Sequence, residues 1–165
     1  MQASVTSDGM FRLGGMVARA SLGRAGVRAA DAKQEGDGAT PAAVLPLRRV
    51  LFRADRLAAP ACAVPIEPIA PTDGWCDDPA HPDYNRMVRL PHPASCEALW
   101  RDDAVYDLIG VLGWNDAPVR RGRGSAIFLH VVAPDFAPTA GCVALALADL
   151  RRVLAAGLTG VAVRG

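Results

Sequence analysis

Short apolar runs, each closed by glycine or proline, follow one another along most of the chain, a pattern of brief strands rather than long helices. On that pattern residues 10–17 and 44–52 are strands, with the turn-like Gly36-Asp37-Gly38 between them. Prolines 65, 68 and 71 recur every third residue, which predicts an extended surface or edge segment over residues 64–71. Residues 72–93 are polar and aromatic without a clear period, so a long loop is expected there. Residues 95–102 read as a short helix capped by Ser95 that turns Leu99 and Trp100 to the core. Residues 106–112 and 126–132 are rich in branched apolar side chains and predict two neighbouring strands, with the Gly/Arg-rich turn 120–124 between them. A strand over 143–147 precedes a helix over 148–156, where Leu150, Val153 and Leu154 stand at helical spacing and Gly157 supplies a stop. A last strand covers 160–164. With no internal repeat and no composition break, residues 1–165 are expected to form a single, mainly β domain with one or two short helices.

Composition narrows the classes. At 165 residues the chain buries roughly 70% of its unfolded surface, enough to fold without disulfides or a structural metal. Eighteen basic and seventeen acidic side chains leave a formal charge of +1, so no overall field recruits nucleic acid or an anionic membrane. Arg120, Arg121 and Arg123 form a basic knot, but no aromatics are interleaved to stack bases, and a solvated hairpin turn is the simpler reading. No apolar run is long enough for a transmembrane helix. Asp8, Arg12, Gly14, Gly15 and Arg19 interrupt the first twenty residues, so no signal peptide is visible.

Four cysteines, at 62, 76, 96 and 142, contain no CxxC pair. The sharpest pairing of reactive types is His130, at the end of an apolar strand, with Cys142 twelve positions later. A nucleophilic thiol needs a base or a positive field, and His130 is a candidate base. Gly141 permits close backbone approach, N–H groups around Cys142 would serve as oxyanion donors, and Thr139 adds a hydroxyl. The structural alternative is a buried cysteine and a satisfied core histidine. Cys76, His81, His92 and Cys96 have ligand chemistry for zinc, but their spacing is not that of a zinc finger and prolines crowd both histidines. A Cys76–Cys96 disulfide or two unpaired thiols is preferred, and no metal is expected. Trp75, Trp100 and Trp114 are expected to pack in the core, with Trp75 in the polar loop the one candidate for ligand contact.

The stretch GSAIFLH, ending at His130, followed by Thr139-Ala140-Gly141-Cys142, resembles the L,D-transpeptidase catalytic domain of the YkuD (ErfK/YbiS) family. GDGATP at 36–41 is similar to that family's turn ahead of a strand, and GWCDDP with YNR resembles a loop of one bacterial branch. The chain departs from the family at Ala140, often His there, and at Ala144, often Arg or Asn; Ala43 replaces a frequent Gly.

The resemblance implies a YkuD-like twisted β-sandwich, with Cys142 as nucleophile, His130 as base, and Gly141 and Thr139 positioning substrate. It implies a substrate loop bearing Trp75, Asp77, Tyr84, Asn85 and Arg86. Peptidoglycan stem peptides are then the substrates, carbapenem-type β-lactams the inhibitors, and the periplasm or cell envelope the location; no cofactor is required and a monomer is expected. An L,D-carboxypeptidase on the same site and a non-catalytic envelope-binding module are the alternatives.

Overall fold

The computed structural model describes residues 1–165. The first third supplies β1 (Gln2–Thr6), β2 (Met10–Leu13), β3 (Met16–Ser21), the short β4 (Val27–Ala29) and β5 (Thr40–Ala42), and β6 (Val44–Phe52). Next come β7 (Ile66–Pro68), β8 (Asp73–Cys76), β9 (Met87–Arg89), β10 (Cys96–Ala98) and β11 (Leu108–Leu112). β12 (Phe128–Val131), β13 (Val143–Leu145), the helix α1 (Leu147–Ala155) and β14 (Gly160–Arg164) complete the chain.

One sheet runs in the order β11-β12-β13-β3-β2-β1-β14-β6-β7, and a further pairing of β11 with β6 closes it on itself. The long β6 makes this closure: its first residues pair with β14 and the rest with β11, so the strand turns a corner between two packed layers. The result is a mainly β, sandwich-like core with one helix, consistent with a YkuD-like fold. Apolar side chains of both layers meet in a 23-residue cluster that includes Phe11, Leu13, Leu45, Leu108, Leu129 and Val143. α1 adds Leu150, Val153 and Leu154 to it.

A second layer of cover decides where the site lies. β10-β8-β9 form a separate three-stranded sheet whose Trp75 packs edge-on against Phe128, centroids 5.1 Å apart. β11 is therefore buried on both faces: Leu108 and Leu112 face the main cluster, Ile109 and Val111 the smaller one under this sheet. Two-sided burial explains why β11 reads as a continuous apolar run.

Several boundaries differ from expectation. Residues 10–17 are two strands, because Gly14 takes φ +56° and turns a hairpin that pairs Leu13 with Met16. Residues 72–93 contain β8 and β9 rather than loop alone. The helix expected at 95–102 is the strand β10: the Ser95 carbonyl accepts a ladder bond from the Asp77 N–H (3.1 Å) instead of starting a helix. A partner strand twenty residues away outweighs the local capping signal. β1, β4 and β5 had no clear signature. The remaining strands and α1 fall close to where periodicity places them.

Asn85 ties the small sheet to the long β11–β12 connection. Its backbone is left-handed (φ +57°), and its Oδ1 accepts from Trp75 Nε1 and the Ala126 N–H, both at 3.0 Å. Its Nδ2 donates to the carbonyls of Trp114 (2.9 Å) and Asn115 (2.8 Å). Every hydrogen-bonding position of the buried amide is used. Asn85→Ala should lower unfolding free energy by about 3 kcal/mol, through unpaired buried groups and a strained φ, measured as a reduced urea midpoint. A loss under about 1 kcal/mol would show that the amide is not the tie between these loops.

Candidate active site

Parallel pairing of β12 with β13 places Leu129 opposite Val143 and His130 opposite Ala144. Side chains alternate along each strand, so Phe128 and His130 share a face, as do Cys142 and Ala144. Leu129, Val131, Val143 and Leu145 point into the main core, while Phe128 and Cys142 belong to the smaller cluster. Cys142 and His130 are thus diagonal neighbours on the face turned toward the small sheet. Both are buried, and both line one cavity of about 440 Å³.

The hydrogen bonds define the resting protonation. His130 Nδ1 lies 2.8 Å from the Val131 carbonyl, which only accepts, so Nδ1 carries the proton and Nε2 keeps its lone pair. The Tyr106 ring packs edge-on against the imidazole at 5.3 Å. Cys142 Sγ donates to the Ala126 carbonyl (3.2 Å) and accepts from the Phe128 N–H (3.3 Å). Burial pulls His130 down to about 4 and, with the nearby Glu97 carboxylate, pushes Cys142 up to about 12. The Phe128 N–H opposes the latter shift, since it favours the thiolate. At neutral pH the two groups therefore rest as thiol and neutral imidazole, not as an ion pair. Proton transfer between them requires the thiol to leave the Ala126 carbonyl.

The chain enters Cys142 through a tight turn. Gly141 has φ +140°, and a Cβ there would stand 2.9 Å from the Ala39 carbonyl oxygen, so only glycine fits. Thr139 Oγ1 donates to the Cys142 carbonyl (2.8 Å) and accepts from the Gly141 N–H (3.1 Å). In this structure the polar groups of these two residues, expected to position substrate, hydrogen-bond within the turn and shape it. The Cys142 N–H has no acceptor within the chain, and is the donor beside the sulfur that stays available.

Residues not singled out in sequence complete the cavity. Glu97 and Glu35 line it with Asp77, opposed in charge by Arg24 and Arg101. Tyr106 Oη donates to Glu97, and burial holds that carboxyl above its ordinary range. Glu35 accepts from Tyr84 Oη and from Ser125 Oγ (2.8 Å). A buried Asp77 oxygen, Oδ1, has no hydrogen-bond partner. None of these acids stands in a motif with the cysteine; the pairing of β8 with β10 brings in Asp77 and Glu97, the loop between β4 and β5 brings in Glu35, and only Asp77 carried a sequence signal.

The expected substrate loop divides. Asp77 alone of its five residues lines the cavity of Cys142. Trp75, Asn85 and Arg86 line a separate groove of about 690 Å³ that excludes both Cys142 and His130. Tyr84 is buried and orients Glu35. Trp75, with its ring against Phe128 and its N–H on Asn85, is packed rather than presented. Cys76, His92 and Cys96, which spacing alone argued against as ligands, are brought within 4.8 Å of one another.

A thiol and a neutral imidazole with a free Nε2 lone pair on adjoining strands, at the wall of a charged cavity in a β-sandwich, define a cysteine–histidine site suited to acyl transfer. A family model described as L,D-transpeptidase catalytic domain (YkuD) matches residues 6–163, and the chain belongs to that family, one of cell-wall enzymes acting on peptidoglycan. Searches of curated proteins and of solved structures find no match. No helix is long and apolar enough to cross a membrane.

A thiol raised to about 12 is protonated through neutral pH, and its thiolate fraction grows only as pH rises. Alkylation of Cys142 by iodoacetamide, followed by peptide mass, should therefore increase steadily into the alkaline range. A plateau at neutral pH would instead demonstrate a resting thiolate–imidazolium pair.

Proposed function

We propose that the chain is a cysteine-dependent L,D-transpeptidase acting on peptidoglycan stem peptides through a thioester acyl-enzyme. The observation that carries this reading is the placement of Cys142 and His130 as diagonal neighbours on the sheet face that opens into the charged cavity. His130 Nε2 accepts the thiol proton as sulfur attacks the carbonyl joining an L-centred to a D-centred residue. The C–S bond forms, the tetrahedral oxyanion is met by the Cys142 N–H, and the C–N bond then breaks. The D-amino acid leaves with the proton returned from the imidazolium. An acceptor amine next attacks the thioester, giving its proton to His130 while the C–S bond breaks, and the thiol is restored. A stem peptide as acceptor gives a cross-link, a free D-amino acid gives exchange, and water gives carboxypeptidase activity. No cofactor enters these steps.

The departures at 140 and 144 redistribute binding rather than remove the chemistry. Ala144 lies directly opposite His130, where a methyl leaves space beside the imidazole but offers no hydrogen bond. Arg24 and Arg101 are the cations left to meet a substrate carboxylate, and Glu35, Asp77 and Glu97 suit an ammonium group. The same alanines support the second reading, an envelope-binding module without turnover. The expected location is the periplasm or cell envelope.

Incubation with a disaccharide-tetrapeptide and mass analysis of the products tests the proposal: cross-linked dimer supports it, tripeptide alone supports the hydrolase, and unchanged substrate supports the binding module. Cys142→Ala should abolish turnover with little effect on folding, because an apolar residue of similar size fills the site. His130→Ala should lower the rate about 10²–10⁴-fold, as for a lost general base.

Covalent trapping supplies an independent check. Excess carbapenem should add one drug mass to the peptide holding Cys142 and none to those holding Cys62, Cys76 or Cys96. Labelling should weaken in His130→Ala and vanish in Cys142→Ala; absence of any adduct on the wild type would favour the binding module.

A further inference from the structure

Behind the catalytic cavity, β8 and β10 are antiparallel, and their register sets Cys76 directly opposite Cys96. Two kinds of opposed pair alternate along such a ladder, and only one suits a cross-link. The Asp77 N–H donates to the Ser95 carbonyl (3.1 Å) and the Leu99 N–H to the Asp73 carbonyl (3.0 Å). These are the pairs one step and three steps from Cys76/Cys96, so the cysteines occupy a non-hydrogen-bonded position. Cys76 confirms the phase: its N–H donates to the Arg86 carbonyl (2.9 Å) and its carbonyl accepts from the Asn85 N–H (2.9 Å), both on the side away from β10. At non-hydrogen-bonded positions opposed Cα atoms approach to about 4.5 Å with side chains converging, inside the range that a disulfide spans. Their sulfur atoms lie within 4.8 Å of each other.

A metal is the competing use of these thiols, since His92 shares their neighbourhood. Its ring is already committed at both ends: Nδ1 accepts from the Ala94 N–H (3.1 Å), and Nε2 lies 3.0 Å from Asp83 Oδ2, to which it donates. With no lone pair left, His92 would have to break a hydrogen bond to become a ligand. The opposed thiols, unlinked in this structure, have only to close the gap between their sulfur atoms.

We propose that Cys76 and Cys96 form a structural cross-strand disulfide, produced by exchange with an oxidising disulfide and stapling β8 to β10. The partly exposed Cys96 attacks the oxidant, a protein or glutathione disulfide, forming a mixed disulfide and releasing one thiol. The buried Cys76 then attacks Cys96 Sγ and releases the second thiol. Two thiols of the chain are oxidised and the oxidant is reduced to two thiols, so protons and electrons balance. Burial and the adjacent Cys76 push the Cys96 thiol up to about 11, which slows the exchange but also withholds the thiolate stabilisation that makes a disulfide easy to reduce.

The staple bears on the site through strand alternation. Trp75, Asp77 and Glu97 occupy the opposite face of the small sheet from Cys76 and Cys96; Trp75 packs on Phe128, and Asp77 and Glu97 line the cavity. The cross-link therefore fixes the relative position of the two strands that bring those carboxylates in, without itself occupying the cavity.

The full chain, reduced and then equilibrated with mixtures of oxidised and reduced glutathione, tests this without reference to turnover. After denaturing alkylation and non-reducing digestion, the expected product is one linked peptide pair, Cys76 with Cys96, lighter by two hydrogens, with Cys62 and Cys142 alkylated. Closing a loop of about 20 residues should raise the melting temperature of the oxidised protein by on the order of 5–10 °C over the reduced protein. Cys96→Ser should abolish the linked pair and melt like the reduced wild type; the peptide map of the wild type stands even if that variant folds poorly. Three results would overturn the proposal: a glutathione adduct on Cys96 that never resolves, linkage to Cys62 or Cys142 instead, or one zinc per reduced chain that blocks oxidation.

Discussion

The parallel pairing of β12 with β13, Leu129 opposite Val143, is the contact on which the site depends. A slip of one residue in either strand would turn its side chains to the other face, sending His130 or Cys142 into the main core and an aliphatic side chain into the cavity. Apolar residues on the inner face oppose that slip, because Leu129, Val131, Val143 and Leu145 are all buried in one cluster. The hydrophobic pattern that makes the sandwich thereby also specifies which two reactive groups meet. The connection from β12 to β13 must return in the same direction, and it ends in the turn that only Gly141 can make against the Ala39 carbonyl.

Covering that face with a second sheet has a cost, since polar atoms removed from water need partners. Apart from Asp77 Oδ1, the structure meets it with buried side chains whose hydrogen bonds are filled. Asn85 closes the small sheet onto the β11–β12 connection. Asp37 accepts from Lys33 Nζ (2.8 Å) and from the N–H groups of Gln34 and Ala39 (both 2.9 Å), so the loop that carries Glu35 is pinned from within. Lys33 is itself buried, which makes the sole lysine an internal tie rather than a surface charge.

Legibility in the sequence follows the range of the forces involved. Strands with long apolar runs, β6, β11, β12 and β14, and the helix with Leu150, Val153 and Leu154 could be read because burial of a continuous face imposes a local period. β8, β9 and β10 have three or four residues each, too few for a period, and exist because they pair with one another. The same holds for the site. His130 and Cys142 stood out through residue chemistry and the family resemblance, and strand register accounts for their proximity. Glu35, Glu97, Arg24, Arg101 and Tyr106 did not, because each reaches the cavity from a different segment. Tyr84 and Asn85 were legible as a motif but not as supports, since their partners Glu35, Trp114 and Ala126 lie far off in sequence.

Burial at the cavity links the small sheet to the chemistry. Burial raises the Cys142 thiol and the charge of Glu97 adds to it, while Tyr106 links Glu97 to the base by bonding that carboxyl as its ring packs on His130. A cation placed among Asp77, Glu97 and Glu35 would offset that negative field, and the thiol would then lose its proton more readily to the waiting Nε2 lone pair. Under the proposed reaction, an ammonium-bearing substrate would offset the smaller, electrostatic part of that shift, while the larger part, due to burial, stays. Register puts base and thiol side by side, and the walls supplied by β8 and β10 bury the thiol and favour its protonated form.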